Sequence, residues 1–216
     1  MSKLKAVVFD YGKVLSLPPT EEQWMKVSTR FQKPVQEFQQ IYWGHREELD
    51  RGTLDNAAYW KAVGRDCGFD VSDTEAEQLI DQDNTQWTNE SAEVLRFARD
   101  LHRGGFRTAI LSNMERRMLR AMREKLKWLD EFDAQIYSCE IGMVKPEPEI
   151  YLHCCERLGC CPEEVLFLDD KRVNVEGAKR AGMQSYVFHS APDPVMLTGT
   201  QEITVGELRA RLLGGR

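Results

Sequence analysis

The sequence predicts an α/β fold: a parallel sheet covered by helices on both faces, with an all-helical insertion directly after the first strand. Three observations predict it. From residue 89 onward, short apolar runs alternate with stretches of helical periodicity. Residues 16–88 contain no such run, only apolar side chains spaced three and four apart. The first run, Ala6-Val7-Val8-Phe9, stops abruptly at Asp10, followed by Gly12 and Lys13. A buried parallel strand of that kind delivers its carboxylate to the carboxyl edge of the sheet, where ligands bind in open α/β folds.

At 216 residues the chain suffices for one sizeable domain, or one plus a smaller insertion. Charged residues make up 30% and hydrophobic residues 42%, and the net charge is −6, so no global field favours nucleic acid or anionic lipid. No apolar run approaches the roughly 18–20 residues that span a membrane. Met1-Ser2-Lys3-Leu4-Lys5 leads straight into the first strand and leaves no room for a signal peptide. A cytoplasmic protein is expected, a monomer or weak homodimer, with neither nucleic acid nor membrane as partner.

Taken in order, Ser16-Leu17-Pro18-Pro19-Thr20 breaks the pattern of the first strand and opens the insertion. Within it, Trp24, Val27 and Phe31, then Val35, Phe38, Ile41 and Tyr42, then Tyr59, Trp60 and Val63 mark amphipathic helices. Gly52-Thr53-Leu54-Asp55 and Cys67-Gly68-Phe69-Asp70 are turns between them. Thr88 or Asn89 is expected to cap a helix that ends at Gly104-Gly105. A strand over 107–111 ends in Ser112-Asn113 and is followed by a helix with Met114, Met118, Met122 and Leu126 on one face and basic residues on the other, a packed inner face under a solvated outer one. A strand over 134–138 leads to Lys145, and Pro146 and Pro148 open the next helix, which stops at Gly159. A strand over 165–168 ends in Asp169-Asp170, a helix runs to Gly182, a strand covers 185–188, and a last helix covers 205–213. Residues 1–15 and 89–216 would thus form the core, and 16–88 the insertion. Cys154-Cys155 and Cys160-Cys161 lie on a helix and its exit turn; their spacing is not that of a zinc finger, and in a reducing compartment they are expected to pack.

Asp10, Ser112-Asn113, Lys145 and Asp169-Asp170 are chemically a set. A carboxylate can attack phosphorus. A lysine, a hydroxyl and amide N–H groups at a helix start can hold phosphoryl oxygens. Further carboxylates can complete a Mg2+ site, since that hard cation prefers oxygen ligands and bound phosphate.

These segments resemble the four motifs of the haloacid dehalogenase superfamily: Val7-Val8-Phe9-Asp10, Ile110-Leu111-Ser112-Asn113, Val144-Lys145-Pro146 and Phe167-Leu168-Asp169-Asp170, supported by Asn174-Val175-Glu176-Gly177-Ala178 and Ala181-Gly182. The resemblance spans essentially the whole chain and implies a Rossmann-like parallel sheet core with an inserted α-helical cap of the family's subclass I. It implies Asp10 as nucleophile and Mg2+ ligand, Ser112 and the Asn113 backbone on the phosphate, and Lys145 paired with both Asp10 and phosphate. Asp170 would bind Mg2+ directly, Asp169 and Asn174 would lie in or near the metal site, and the Gly12 carbonyl could reach the metal. Substrate contacts are expected from Lys13, Tyr42, His45 and Arg46, with Trp43 or Trp60 in the pocket wall.

The sequence departs from the family at Gly12, where phosphatases usually carry a second aspartate that protonates the leaving oxygen and then activates water. Such a group is typically worth about 10²–10⁴ in rate. Lys13, next to it, could attract phosphate or fill the gap. The expected function is a Mg2+-dependent phosphatase acting on a small phosphorylated metabolite. A sugar phosphate is favoured, because Tyr42-Trp43-Gly44-His45-Arg46 and Leu49-Asp50-Arg51-Gly52 resemble the cap of Asp-x-Gly sugar-phosphate phosphatases similar to α-D-glucose-1-phosphate phosphatase. The alternatives are a weak or inactive protein of this fold that binds a phospholigand or a protein, and a 2-haloacid dehalogenase. The last needs no proton donor but lacks a use for Asp169-Asp170.

Overall fold

The computed structural model describes residues 3–191 and 203–214. Met1 and Ser2, used above in reading the N-terminus, lie outside the described residues, as do 192–202 and 215–216 of the expected core.

Five parallel strands form one sheet in the order β3-β2-β1-β4-β5. They are β1 (Ala6–Phe9), β2 (Arg107–Ser112), β3 (Ala134–Tyr137), β4 (Val165–Asp169) and β5 (Gln184–Val187). β1 is central: Phe9 stands opposite Ile110 of β2 on one side and Leu168 of β4 on the other. The chain builds outward from β1 to β3 and then crosses back to place β4 on β1's free side. This reversal makes the carboxyl end of β1 the switch point of the sheet, with a crevice opening there. Asp10, Ser112 and Asp169 reach that edge because each ends or directly follows one of these strands.

The strands are buried on both faces, which explains why they read as continuous apolar runs. Val7, Phe9, Ile110, Leu166 and Leu168 face one cluster. Ala6, Val8, Ala109, Leu111, Val165 and Phe167 face another, which holds Cys154 and Cys155 among its packing residues. Both cysteines lie on α9 (Pro148–Leu158), and Cys161 is exposed.

Between β1 and β2 come α1 (Glu21–Arg30), α2 (Val35–Gly44), α3 (Arg46–Arg51), α4 (Asn56–Cys67), α5 (Asp73–Gln86) and α6 (Ala92–Arg103). Thr20 and Ser72 start α1 and α5 with reciprocal capping boxes. An aromatic cluster joins α1, α2 and α4: Trp24 meets Tyr42 edge-on at 5.1 Å, Phe31 stacks on Phe38 at 5.4 Å, and Tyr59 meets Trp60 at 5.3 Å. The helix expected to begin at Thr88 or Asn89 starts later, after Ser91. Residues there are pulled into extended pairing with the entry to the insertion: the Leu17 N–H donates to the Asn89 carbonyl (2.7 Å), and the Ser91 N–H donates to the Leu15 carbonyl (2.8 Å). The insertion therefore enters and leaves through one antiparallel bridge, Ser16 to Glu90.

The remaining helices are α7 (Arg116–Lys125), α8 (Ser138–Ile141), α10 (Arg172–Arg180) and α11 (Val205–Leu213). β3 stops one residue earlier than expected because Ser138 starts α8. Gly177 of α10 is where this helix meets the loop carrying Lys145. A Cβ there would lie 2.8 Å from Pro146 Cβ and 2.9 Å from the Pro146 carbonyl oxygen. Gly177→Ala should therefore overpack this contact and cost about 1–3 kcal/mol, measured by urea denaturation. An unchanged midpoint would show that α10 does not fix the loop.

Candidate active site

The site grows from the end of β1. Past Phe9 the chain forms a wide turn, Tyr11–Leu15, closed by the Ser16 N–H donating to the Tyr11 carbonyl (2.8 Å). Asp10 heads the turn, and its Oδ1 accepts from the Tyr11 N–H at 2.7 Å. Lys13 takes a left-handed conformation (φ 59°), and its carbonyl accepts from the Ser190 N–H at 2.7 Å. The turn is thus tied both to itself and to the chain beyond β5.

Lys145 lies at the centre, its side chain 1% exposed, with Nζ 2.9 Å from Asp10 Oδ1 and 2.6 Å from Asp169 Oδ2. Burial alone would drive this lysine toward neutrality, but the carboxylates of Asp10 and Asp169 outweigh it and hold its pKa above the ordinary value. Its backbone is held by Asn113: the Lys145 N–H donates to Asn113 Oδ1 (2.8 Å), and Asn113 Nδ2 donates to the Lys145 carbonyl (2.9 Å). The Asn113 side chain thus fixes the lysine loop. Ser112, at the end of β2, is buried in the cavity wall.

The carboxylates of Asp10, Asp169 and Asp170 each offer an oxygen within 4.8 Å of the others. Asp169 is fully buried and saturated: besides Lys145 it accepts from the Lys171 N–H (2.8 Å) and from Asn174 Nδ2 (3.0 and 3.1 Å). Asp10 and Asp170 line the cavity; Asp169 does not. Burial, then the charges of Asp169 and Asp10, push the Asp170 pKa up to about 7. Lys145 is shared by Asp10 and Asp169, Lys171 and Lys13 act on Asp170, and the carboxylate oxygens of Asp10 and Asp170 at the cavity are the donors a hard dication takes. The residues present therefore fit a Mg2+ ion, with Asp10 and Asp170 as the available side chains and Asp169 as the residue that orients Lys145.

The cavity over this cluster encloses about 680 Å³. Its floor is the sheet edge, and its roof is the insertion, which contributes Trp43, Arg46, Glu47, Asp50 and Trp87. Gly12, Lys13 and Asn113 also line it. Two of the expected substrate-contacting residues stand elsewhere. Tyr42 is fully buried in the aromatic cluster, and its hydroxyl donates to Asp83 (2.9 Å). His45, half-buried at the junction of α2 and α3, pairs with Asp66 of α4 at 2.7 Å and is not among the cavity's lining residues. Both sit at helical spacing beside residues that do reach the cavity, and the helical period alone could not say which face looked inward. Of the expected wall tryptophans, Trp43 lines the cavity and Trp60 is core. Arg46 is present but engaged, donating to Tyr42 Oη (2.9 Å), Asp50 (2.9 Å) and Asp83 (3.3 Å).

Sequence reasoning did not single out Asp50, Trp87 or Lys171 for this cavity. Lys171 directly follows Asp170, and its ammonium sits 4.9 Å from the Trp43 ring centre, joining floor to roof by a cation–π contact. Trp87 closes the exit of the insertion beside Gly12, an adjacency across 75 residues that no local pattern encodes.

A family model described as haloacid dehalogenase-like hydrolase matches residues 4–182. Bifunctional epoxide hydrolase 2 of Mus musculus is 26% identical over 92% of the chain, which spans only 39% of that relative's length. Phosphorylated carbohydrates phosphatase of Thermotoga maritima is 40% identical over 75 residues, 32% of this chain and 35% of that protein. A solved structure of a HAD family enzyme from Bacteroides thetaiotaomicron superposes with TM-score 0.70 at 25% identity, covering 91% of this chain and 98% of that one. The same enzyme has been solved in complex with magnesium and inorganic phosphate. Among the described residues, no helix is long and apolar enough to cross a membrane.

The clustered carboxylates make a prediction with two opposite signs. At pH 8 and without divalent ions, Asp170→Asn should unfold at a higher temperature than the parent, because one like charge has left a buried cluster. Added Mg2+ should raise the parent's unfolding temperature and leave the variant nearly unmoved, since only binding to the folded state stabilises. Equal Mg2+ responses in the two would remove Asp170 from the metal site.

Proposed function

The chain belongs to the haloacid dehalogenase-like hydrolase family, and on that premise we propose that it is a Mg2+-dependent phosphatase of small phosphorylated metabolites, sugar phosphates favoured. The observation that carries this reading is Lys145 bound to Asp10 and Asp169 beside Asp170, with Ser112 in the same cavity wall. Asp10, Asp170 and the Gly12 carbonyl would hold the metal, which would offset negative charge between the nucleophile and a phosphate dianion.

The chain's own residues do the rest. Asp10 is aimed by the Tyr11 N–H and Lys145, so that its carboxylate can form the new bond to phosphorus as the bond to the leaving oxygen breaks. Lys145 keeps its proton, and that fixed charge lowers the cost of bringing two anions together. The Ser112 hydroxyl, in the cavity wall, would donate to a phosphoryl oxygen, and Asn113 holds the backbone of the lysine loop beside it. Water then attacks the aspartyl-phosphate and returns Asp10 to its starting state. Trp43 and Trp87, with Met114 and Met118, give the cavity apolar walls that suit stacking against a sugar ring and keep bulk water from the intermediate.

One observation favours a second reading. Gly12 leaves no carboxyl at the usual acid position, as expected for a phospholigand-binding protein with little turnover. A dehalogenase has no use for the buried Asp169-Asp170 pair and is disfavoured.

The test is phosphate release from a panel of sugar phosphates, acetyl phosphate and an aryl phosphate, with and without Mg2+, beside Asp10→Asn. Metal-dependent release that falls to background in Asp10→Asn is the expected result. Retained binding of a phosphate analogue with no release from any compound would replace the phosphatase with the binding protein.

A further inference from the structure

The phosphatase reading leaves a gap: a poor leaving group needs a proton, and Gly12 cannot supply one. The roof of the cavity contains a candidate. Asp50, at the end of α3, is buried (7% exposed) and lines the cavity above the sheet edge. Its backbone is fixed to the core, because the Ser138 hydroxyl donates to the Asp50 carbonyl at 2.5 Å while accepting from the Met114 N–H at 2.9 Å. The residue is therefore held in place relative to the floor even though it belongs to the insertion.

Its side chain is the less well supplied with donors of two neighbouring buried carboxylates. One guanidinium, Arg46, serves two buried carboxylates, Asp50 and Asp83. Asp83 is the better-served of the two: it accepts from Gln86 Nε2 (2.6 Å), from the Tyr42 hydroxyl (2.9 and 3.1 Å) and from Arg46 (3.3 Å). Burial raises the pKa of Asp83 as well, and its bonds from Arg46, Tyr42 and Gln86 oppose that rise. Asp50 accepts from Arg46 through Oδ1 at 2.9 Å. A neutral carboxyl can keep that bond on Oδ1 and carry its proton on the other oxygen. Burial raises its pKa and outweighs the cations Arg46 and Lys171, which favour the anion, while Asp10 across the cavity and Asp83 on the shared guanidinium disfavour it.

We propose that Asp50 is the general acid and base of this site, supplied from the helical insertion in place of the carboxyl missing at Gly12. As the Asp10–phosphorus bond forms and the bond from phosphorus to the leaving oxygen breaks, the Asp50 proton moves to that oxygen and the alcohol departs. The resulting Asp50 carboxylate then takes a proton from the water that attacks the aspartyl-phosphate. Inorganic phosphate leaves, Asp10 is regenerated as a carboxylate, and Asp50 is again protonated. This inference rests on the phosphatase reading and adds to it that the proton comes from the roof, so acid catalysis exists only while the roof is closed over the floor.

The test compares leaving groups. Asp50→Asn should lower kcat/KM on a sugar phosphate by about 10²-fold or more, the usual worth of a general acid. On an aryl phosphate, whose leaving oxygen needs no proton, it should change kcat/KM by less than about threefold. Gly12→Asp placed in the Asp50→Asn background should recover sugar-phosphate turnover. The backbone at Gly12 (φ −64°, ψ 126°) admits any residue, and a Cβ there would meet only Trp87 at an ordinary 3.7 Å among the described residues. Asp83→Asn, which also removes an Arg46 partner, should show no leaving-group dependence. Equal losses on both substrate classes, or the same selectivity from Asp83→Asn, would overturn the proposal by making Asp50 a structural partner of Arg46. A parent protein that releases phosphate from neither class would overturn the phosphatase reading itself, and Asp10-dependent aryl phosphate release keeps the two failures apart.

Discussion

The contact on which the rest of the site depends is the buried ammonium of Lys145 between Asp10 and Asp169. Each of the three groups comes from a different part of the sheet edge, so the contact forms only when β1, β4 and the loop after α8 are in register. Removing one partner of such a pair typically costs about 3–5 kcal/mol, because a charge is left buried and alone. The surroundings supply what the charges need. Asn113 grips the lysine backbone, Asn174 and the Lys171 N–H occupy the oxygens of Asp169, and Tyr11 holds Asp10. The result is a carboxylate aimed at the cavity and unable to turn away, which is what a nucleophile needs before substrate arrives.

This part of the molecule was legible in the sequence because the fold itself encodes it. Apolar runs that end in Asp10, Ser112 and Asp169 locate strand ends, and parallel pairing places all strand ends on one edge. Boundaries failed where a tertiary contact competed with a local signal. Thr88 and Asn89 are good helix caps by residue type, yet Asn89 and Ser91 spend their backbone groups on Leu17 and Leu15, delaying α6. The roof was much less legible. Tyr42, Trp43, His45 and Arg46 lie within a turn and a half of one another, and sequence spacing cannot distinguish the face that packs on Trp24 from the face that looks down on Asp10. The structure gives Trp43 and Arg46 to the cavity, Tyr42 to the core and His45 to a pair with Asp66.

Arg46 shows why residue type alone misleads about ligands. An arginine in a cavity above clustered carboxylates and a lysine invites the reading that it binds a substrate anion. Here the guanidinium donates to Asp50, Asp83 and Tyr42 and lies 5.9 Å from the centre of the Trp43 ring. Its donors are already taken by Asp83, Asp50 and Tyr42, and a substrate anion would have to displace one of these buried partners. Arg46 therefore shapes the roof and sets the electrostatics of its neighbours.

The insertion is also mechanically joined to the loop that carries Lys145. Arg51, one residue past Asp50, donates to both oxygens of Glu147 (2.7 and 3.1 Å), and Glu147 accepts from the Val144 N–H at 3.1 Å, next to Lys145. Each link alone is modest, because the pair is partly exposed. Together with the Ser138 bridge to Asp50, however, they put the end of α3 in contact with the loops after β2 and β3 at once. A roof fixed at that point cannot tilt without disturbing the loop that carries the lysine. The pairing of Leu17 with Asn89 and of Ser91 with Leu15 fixes the neck of the insertion, and the α3 contacts fix its other end. The same few residues therefore set the position of the roof over Asp10.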